Sequence, residues 1–256
     1  MTTYRIDLAY DGTDFHGYGR QDNVRTVQGD LEAALFRITG EVKTAVAGRT
    51  DGGVHATAQV VSFSVDTPLD TDRLQRSLNA QLGPEIAVNA ITEVADRFHA
   101  RFSAVERRYR YRISNRSVQD PLAARTSWHV PEPLDVVAMN KAAGAFIGVH
   151  DFASLCRKAP GRTTVREVLG ARWTRTGDVV ELSIGAVAFC HQMVRSIVTV
   201  SVDVGRGRSQ PEDVPVILEA RDRGVVKGLA PPHGLTLTAV VYDEANAGEV
   251  PSWVVL

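Results

Sequence analysis

The residues best suited to chemistry lie in one glycine-rich turn, Gly-Arg-Thr-Asp-Gly-Gly-Val-His-Ala at 48–56, which places Arg49 two positions before Asp51. Glycines let a backbone adopt crowded conformations and let another chain approach closely, at an entropic cost that an ordinary loop need not bear. A carboxylate such as Asp51 can act as a nucleophile or stabilise positive charge on a sugar. The turn therefore indicates a reactive site, although Asp and Gly also form ordinary turns and Arg49 could simply pair with Asp51.

Tyr109 is the next candidate, because it lies where tyrosines and arginines alternate. In a strand, Tyr109, Tyr111 and Ile113 would point to one face and the intervening arginines to the other. A tyrosine ring can stack on a base, and its hydroxyl can accept or relay a proton. This strand alone, however, favours an ordinary half-buried tyrosine.

A helix predicted at 189–204 is apolar almost all round and carries two polar interruptions, His191 and Arg195. Their spacing of four places them on one helical face. A buried arginine needs an anionic partner, which could be Asp51, or the arginine could simply tie the helix to the sheet. His55, after the glycine-rich turn, is expected to orient the loop through a backbone bond rather than to act as an acid or base.

Charge is distributed unevenly in this chain of 256 residues, although the formal net charge is only −1. Arginine greatly outnumbers lysine, which fits RNA recognition but also fits a GC-rich genome. Between 96 and 116, seven arginines face two acids, and this excess predicts a track for phosphates.

Composition excludes several classes of protein. No apolar run is long enough to cross a bilayer, and the amino end lacks a secretory pattern, so we expect a cytoplasmic protein. The histidines show no metal-binding spacing, which predicts no metal. Cys156 and Cys190 are expected to be reduced thiols.

Hydrophobic periodicity predicts the order β-α-β-β-α-β twice. The first copy has strands at 4–10, 42–47, 59–65 and 86–94, with helices from 27 to 40 and around Leu74, Leu78 and Leu82. The second has strands at 107–114, 165–174, 179–184 and 236–242, helices at 135–147 and 189–204, and an extra helix at 211–220. We predict an α+β fold of two ferredoxin-like halves, 1–104 with the Asp51 loop and 105–256 completing the active-site cleft, in one rigid module. Joined edge to edge, the halves would form one continuous mixed, mainly antiparallel sheet, with helices on its outer face and a central RNA-binding cleft.

Several motifs, read together and in this order, resemble those of the TruA family of tRNA pseudouridine synthases. The similarity extends from about Tyr4 to Tyr242. The motifs are Tyr-Asp-Gly-Thr at 10–13, Gly-Tyr-Gly-Arg-Gln at 17–21, the turn at 48–56, Phe-His-Ala-Arg-Phe-Ser-Ala at 98–104, Arg-Arg-Tyr-Arg-Tyr at 107–111 and Phe-Cys-His-Gln-Met-Val-Arg at 189–195.

The resemblance implies an enzyme that isomerises uridines 38 to 40 in the tRNA anticodon stem-loop. It assigns catalysis to Asp51, base flipping to Arg49 and stacking on uracil to Tyr109. Breaking the C1′–N1 bond, turning the uracil and rejoining it through C5 needs no cofactor. The resemblance further implies tRNA rather than DNA as the partner, a homodimer, and substrate contacts from Leu237, Arg195, His191 and Arg20 as well as Tyr109.

Three positions depart from the family pattern. Tyr18 and Gly19 stand where many relatives have Trp and Gln, and Gln192 replaces a histidine found in some of them, so RNA contact by the 17–21 loop is expected to differ. Tyr18 beside Gly19 could still stack. Two rival functions remain open: a tRNA-binding protein without turnover, and a hydrolase, which would need a second carboxylate. Whether Asp51 adds to C6 of the base or C1′ of the sugar, and whether Tyr109 takes the final proton, also stays open.

Overall fold

The computed structural model describes residues 1–158 and 161–243, in which an α+β fold contains ten strands and five α-helices. The strands belong to one sheet, in the order β4-β1-β3-β10-β5-β9-β8-β7, with β2 beside β3 and β6 beside β5. The sheet is mixed, because β5 and β6 are parallel whereas β1 is antiparallel to β3 and β4. The predicted fold class is confirmed. The strands are β1 Thr2–Tyr10, β2 Ala45–Val46, β3 His55–Val65, β4 Ile86–Val94, β5 Ala104–Ser114, β6 Trp128–His129, β7 Gly148–Asp151, β8 Val165–Thr176, β9 Val179–Ala186 and β10 Leu235–Tyr242; the helices are α1 Val27–Thr39, α2 Thr71–Leu82, α3 Val136–Gly144, α4 Met193–Gly205 and α5 Asp213–Ala220.

The chain forms two compact units. Unit 1 contains Met1–Arg107 and returns at Leu237, whereas unit 2 contains Arg108–Thr236. The halves 1–104 and 105–256 remain a prediction, and residues 159–160 and 244–256 of the second half lie outside the described part.

Polar capping residues fix where the two helices of unit 1 begin. The Thr26 side chain accepts a hydrogen bond from the Gly29 N–H at the start of α1, and Asp70 does the same for Arg73 at α2. Gly40 ends α1 with a positive φ of 77°, as its position in the sequence predicted. Leu31 and Leu35 on α1 and Leu78 on α2 are fully buried, as their helical spacing requires.

Both faces of β1 are buried in unit 1, which the alternation of its residues did not predict. Arg5 and Asp7 form an ion pair with 2.6 Å between Nη2 and Oδ1, and each side chain is only 8% exposed. The Arg5 guanidinium also lies 4.9 Å from the centre of the Tyr242 ring. This face is covered because Phe98 and Ala100 pack with Tyr242 in an apolar cluster.

In unit 2, α3 packs on β8 and α4. The Asn140 side chain on α3 bonds the backbone of Trp173 twice, as acceptor at 2.9 Å and as donor at 2.8 Å. Helix α4 is buried on almost every side, as predicted, but it begins at Met193 and not at 189. The reason is Gln192, whose left-handed φ of 68° interrupts the helix and leaves His191 in the preceding turn, so the prediction that His191 and Arg195 share a helical face was wrong.

The expectation of two separate reduced thiols was also wrong. Cys156 and Cys190 are joined by a disulfide in unit 2, with 5.8 Å between their Cα atoms. Their separation of 34 residues gave no hint of this, because the chain between them folds back through β8 and β9.

In the ranges 1–158 and 161–243, no helix is long and apolar enough to cross a membrane. The same ranges contain no group of three His, Cys, Asp or Glu side chains able to hold a metal ion.

Candidate active site and RNA-binding residues

The Asp51 loop joins β2 to β3 and is fixed by hydrogen bonds to the segment after β1. The Tyr18 N–H donates to the Thr50 carbonyl oxygen at 3.0 Å, and the Gly53 N–H donates to that of Phe15 at 3.3 Å. Within the loop, the Val54 N–H donates to the Asp51 carbonyl oxygen at 3.2 Å. The backbone that carries the carboxylate is therefore held on both sides of Asp51.

A buried layer of polar side chains supports the same loop. The hydroxyls of Tyr10 and Thr50 lie 2.8 Å apart, and the Gln59 amide donates to Tyr10 at 3.2 Å and to the Gly48 carbonyl oxygen at 2.8 Å. Burial raises the pKa of Tyr10 to about 12, against the smaller lowering effect of its bonds with Thr50 and Gln59. Tyr10 is consequently a neutral hydrogen-bonding group at physiological pH.

Two glycines allow the backbone after β1 to approach the backbone of the Asp51 loop closely. A Cβ atom at Gly12 would lie 2.0 Å from the Val54 carbonyl oxygen, and one at Gly17 would lie 2.9 Å from that of Thr50. Gly17 also has a φ of 99°, which side chains disfavour. Only glycine fits at either position without moving the Asp51 loop.

His55 fixes the other end of the loop. Its Nδ1 atom accepts a hydrogen bond from the Gly12 N–H at 3.1 Å, which is the orienting role expected from the sequence. Asp11 Oδ1 lies at the same distance from Nδ1. One nitrogen cannot accept and donate at once, so Nδ1 bonds Gly12 when unprotonated and can donate to Asp11 only when it carries a proton.

Asp51 itself is half-buried and Arg49 is exposed. The Arg49 side chain runs beside Gly19, where an added Cβ would meet its Cδ and Nε atoms at 3.2 Å. The small residue at Gly19 therefore gives the Arg49 side chain room. Leu237 is fully buried on β10, and its carbonyl oxygen lies 3.4 Å from the Thr57 hydroxyl.

Arg20 lines an open groove beside α1. Its side chain is 71% exposed and approaches Glu32, with 3.5 Å between Nη1 and Oε2. Phe36 and Lys43 also line this groove, which has a volume of about 800 Å³. An exposed cation at a groove is compatible with the substrate contact predicted for Arg20.

Three predicted site residues belong to unit 2. Tyr109 is buried on β5, and the edge of its ring packs against Phe189 with 5.2 Å between ring centres. Arg195 donates from Nε to the Ala230 carbonyl oxygen at 2.7 Å. His191 is exposed, and its carbonyl oxygen accepts a hydrogen bond from the Arg157 N–H. Unit 1 thus holds Asp51, Arg49, Arg20 and Leu237, whereas unit 2 holds Tyr109, Arg195 and His191.

Tyr18 and part of the arginine-rich segment differ from expectation. Tyr18 cannot stack on RNA because it is fully buried against Tyr10, with 6.2 Å between ring centres. Arg107 is not part of a phosphate track, since it is buried and donates to the carbonyl oxygens of Ala47 and Ala104. An alternating pattern could not distinguish such internal arginines from exposed ones.

Tyr111 is a positioning residue that the sequence did not single out. Its hydroxyl donates to the Pro231 carbonyl oxygen at 2.8 Å, and its ring lies so close to Gly234 that an added Cβ would be 2.6 Å away. Together with Arg195, it holds the segment that leads into β10. The only signal in the sequence was its spacing of two from Tyr109.

Comparisons with known proteins show which family the chain belongs to. The family model of tRNA pseudouridine synthases matches residues 8–103 and 142–243. A protein of Leifsonia xyli named tRNA pseudouridine synthase A is 43% identical, over 94% of this chain and 92% of its own. Proteins of the same name from Moorella thermoacetica and a Caulobacter strain are 43% and 42% identical, over 94% and 95% of this chain and 100% and 99% of theirs.

The chain belongs to the tRNA pseudouridine synthase family. It is an isomerase that converts uridine to pseudouridine in tRNA.

Proposed function

We propose that this enzyme modifies uridines at positions 38 to 40 of the tRNA anticodon stem-loop, with Asp51 as the catalytic carboxylate. The observation that carries the proposal is the Asp51 loop itself. Backbone hydrogen bonds hold it on both sides of a half-buried carboxylate, and Gly12 and Gly17 let the neighbouring backbone pack closely against it. A reactive group gains most when its geometry is fixed before the substrate binds.

The reaction rearranges one nucleoside without a co-reactant. The C1′–N1 bond breaks, a C1′–C5 bond forms, C5 loses a proton and N1 of the detached ring gains one. Asp51 supplies the electron pair, at C1′ of the sugar or at C6 of the base. Tyr109 stacks on the uracil, and its hydroxyl accepts or relays the C5 proton.

The remaining site residues hold the flipped nucleotide. Arg49, exposed beside Gly19, fills the space that the target base leaves in the stem. Arg195 and His191 line the pocket. Leu237 is fully buried on β10, so it packs against the base only after the pocket has opened. Arg20 contacts the phosphate backbone, for which its exposed guanidinium is suited.

Neighbouring targets at different positions require recognition of shape rather than sequence. Arginine contacts to phosphates supply this, because they fix the register of an RNA stem without reading its bases. The enzyme acts in the cytoplasm as a homodimer, so that one tRNA can touch both subunits.

The test is Asp51→Asn assayed by tritium release from tRNA labelled at uracil C5. The wild-type enzyme should release tritium and retain the base, whereas Asp51→Asn should bind tRNA normally and release none. Asp66→Asn, which changes an exposed carboxylate of the same unit, is the matched control and should be fully active.

Substrates with a single uridine at 38, 39 or 40 should each be modified, and a tRNA without uridine at these positions should not. Turnover by Asp51→Asn would refute the role of the carboxylate. Release of free uracil would indicate a hydrolase, and binding without tritium release by the wild type would indicate a protein that only binds tRNA.

A further inference from the structure

A short turn between β4 and β5, here called the 98–103 turn, presents an aromatic ring to solvent. Phe102 is 75% exposed, whereas Phe98 in the same turn is buried. Burying a phenylalanine side chain is favourable by about 2 kcal/mol, so an exposed ring in a well-packed region forgoes stabilisation. It therefore calls for an explanation outside the folded core.

The backbone of this turn is held by several hydrogen bonds. His99 Nδ1 accepts from the N–H groups of Arg101 and Phe102 at 3.2 and 3.4 Å, and the Ser103 hydroxyl accepts from the His99 N–H at 3.1 Å. Ala100 donates its N–H to the Ser62 hydroxyl, and its carbonyl oxygen accepts from the Tyr242 hydroxyl at 2.7 Å.

Buried Arg107 completes the support. It donates to the Arg101 carbonyl oxygen as well as to those of Ala47 and Ala104. The exposed ring of Phe102 thus stands on a backbone that is already ordered, which lowers the entropic cost of binding something against it.

Cationic and aromatic groups surround the ring. The Arg101 guanidinium lies 5.4 Å from its centre, and the His99 ring lies 4.5 Å from it at an interplanar angle of 36°. The adjoining residues 96–102 contain two arginines and one acid. A flat apolar ring beside an exposed guanidinium matches a nucleotide, which combines a stacking base with an anionic phosphate.

We propose that Phe102 and Arg101 bind an unpaired nucleotide of the tRNA, with its base stacked on the Phe102 ring and its phosphate on the Arg101 guanidinium. His99 is a positioning residue, because it fixes the backbone of both. The proposal rests on tRNA being the substrate and is independent of the role proposed for Asp51.

The first experiment measures tRNA affinity and steady-state kinetics for variants at position 102. Phe102→Ala should weaken binding and raise KM about tenfold, with kcat unchanged, because one base loses its stacking surface. Phe102→Leu keeps apolar area without an aromatic face and should lose about as much, whereas Phe102→Trp should bind as well as the wild type. Ile38→Ala, which removes another exposed apolar side chain of unit 1 away from the Arg20 groove, is the matched control and should bind within about twofold of the wild type.

The second experiment separates the base from the phosphate through salt dependence. Arg101→Gln should make the slope of log K against log salt shallower by about 0.7 to 0.9, the value for one lost phosphate contact, whereas Phe102→Ala should leave the slope unchanged. His99→Ala should weaken binding and make the slope shallower by less than Arg101→Gln does, because Arg101 keeps its charge but loses its fixed position. Melting temperatures for the exposed-site variants should stay at the wild-type value, since no buried group changes.

The proposal is overturned if Phe102→Ala binds tRNA like the wild type, if Phe102→Leu does so, or if Ile38→Ala loses as much affinity. A change in sedimentation of Phe102→Ala with unaltered tRNA affinity would assign the ring to a protein contact instead. Failure here leaves the Asp51 proposal intact, because that depends on tritium release by Asp51→Asn and not on affinity.

Discussion

Gly12→Ala should reduce turnover of tRNA about 100-fold while leaving the affinity for tRNA nearly unchanged. Gly12 lies outside the Asp51 loop but packs directly on its backbone. The new methyl group would start 2.0 Å from the Val54 carbonyl oxygen and 2.6 Å from its carbon. Neither atom belongs to a flexible side chain, so the segment after β1 and the Asp51 loop must separate.

The size of this movement follows from the contact. A Cβ atom essentially never lies closer than 3.0 Å to another heavy atom, so the two segments must part by at least about 1 Å. The hydrogen bond from Gly12 to His55, now 3.1 Å long, would be lost with them. A displacement of about 1 Å in a reacting group costs on the order of 100-fold in rate.

Single-turnover tritium release measures the chemical step, and filter binding measures affinity. Gly144→Ala is the matched control: a Cβ there meets nothing within 4 Å, and alanine favours the end of α3. It should be fully active and as stable as the wild type or slightly more so. Wild-type turnover by folded Gly12→Ala would refute the link between this backbone contact and the placement of Asp51.

Three further predictions concern stability. Asp7→Ala leaves Arg5 buried without its anion and should lower the free energy of unfolding by about 3–5 kcal/mol in urea denaturation; a loss below about 1 kcal/mol would contradict the buried pair. Because the pKa of folded Tyr10 is about 12 and that of the unfolded chain is near 10, the folded state retains this proton longer. The stabilisation that protonated Tyr10 gives the folded state is complete below pH 10 and is lost as the pH rises to about 12. Tyr10→Phe should therefore reduce the loss of unfolding free energy at alkaline pH by about 3 kcal/mol. An unchanged dependence of stability on alkaline pH would contradict this. Reducing the Cys156–Cys190 disulfide should lower the unfolding free energy by about 2–4 kcal/mol. The same reducing agent should not change the stability of Cys156→Ser. Detection of two free thiols in the native protein would contradict the disulfide.

Local periodicity predicted most elements, because a strand or helix with one buried face repeats its apolar residues regularly. Strand β4 matches its predicted range, 86–94, at both ends, and α1 ends at Gly40 as predicted. The Asp51 turn was also recognisable, because its glycines and charged residues are adjacent in sequence.

Features that depend on distant residues were missed. Nothing near Arg5 and Asp7 shows that Phe98 and Tyr242 cover them, and nothing near Cys156 shows that Cys190 lies beside it. The left-handed turn at Gln192 was missed because glutamine rarely adopts it, so the helical pattern was extended too far.

The return of the chain to unit 1 at Leu237 has a consequence for biosynthesis. Unit 2 must be translated before β10 exists, so the nascent amino-terminal portion lacks one of its strands and the Tyr242 ring that shields Arg5. Expressing 1–107 alone would leave the edge of β3 without that neighbour and an ion pair open to water. Burial of the Arg5–Asp7 ion pair is thereby coupled to translation of unit 2.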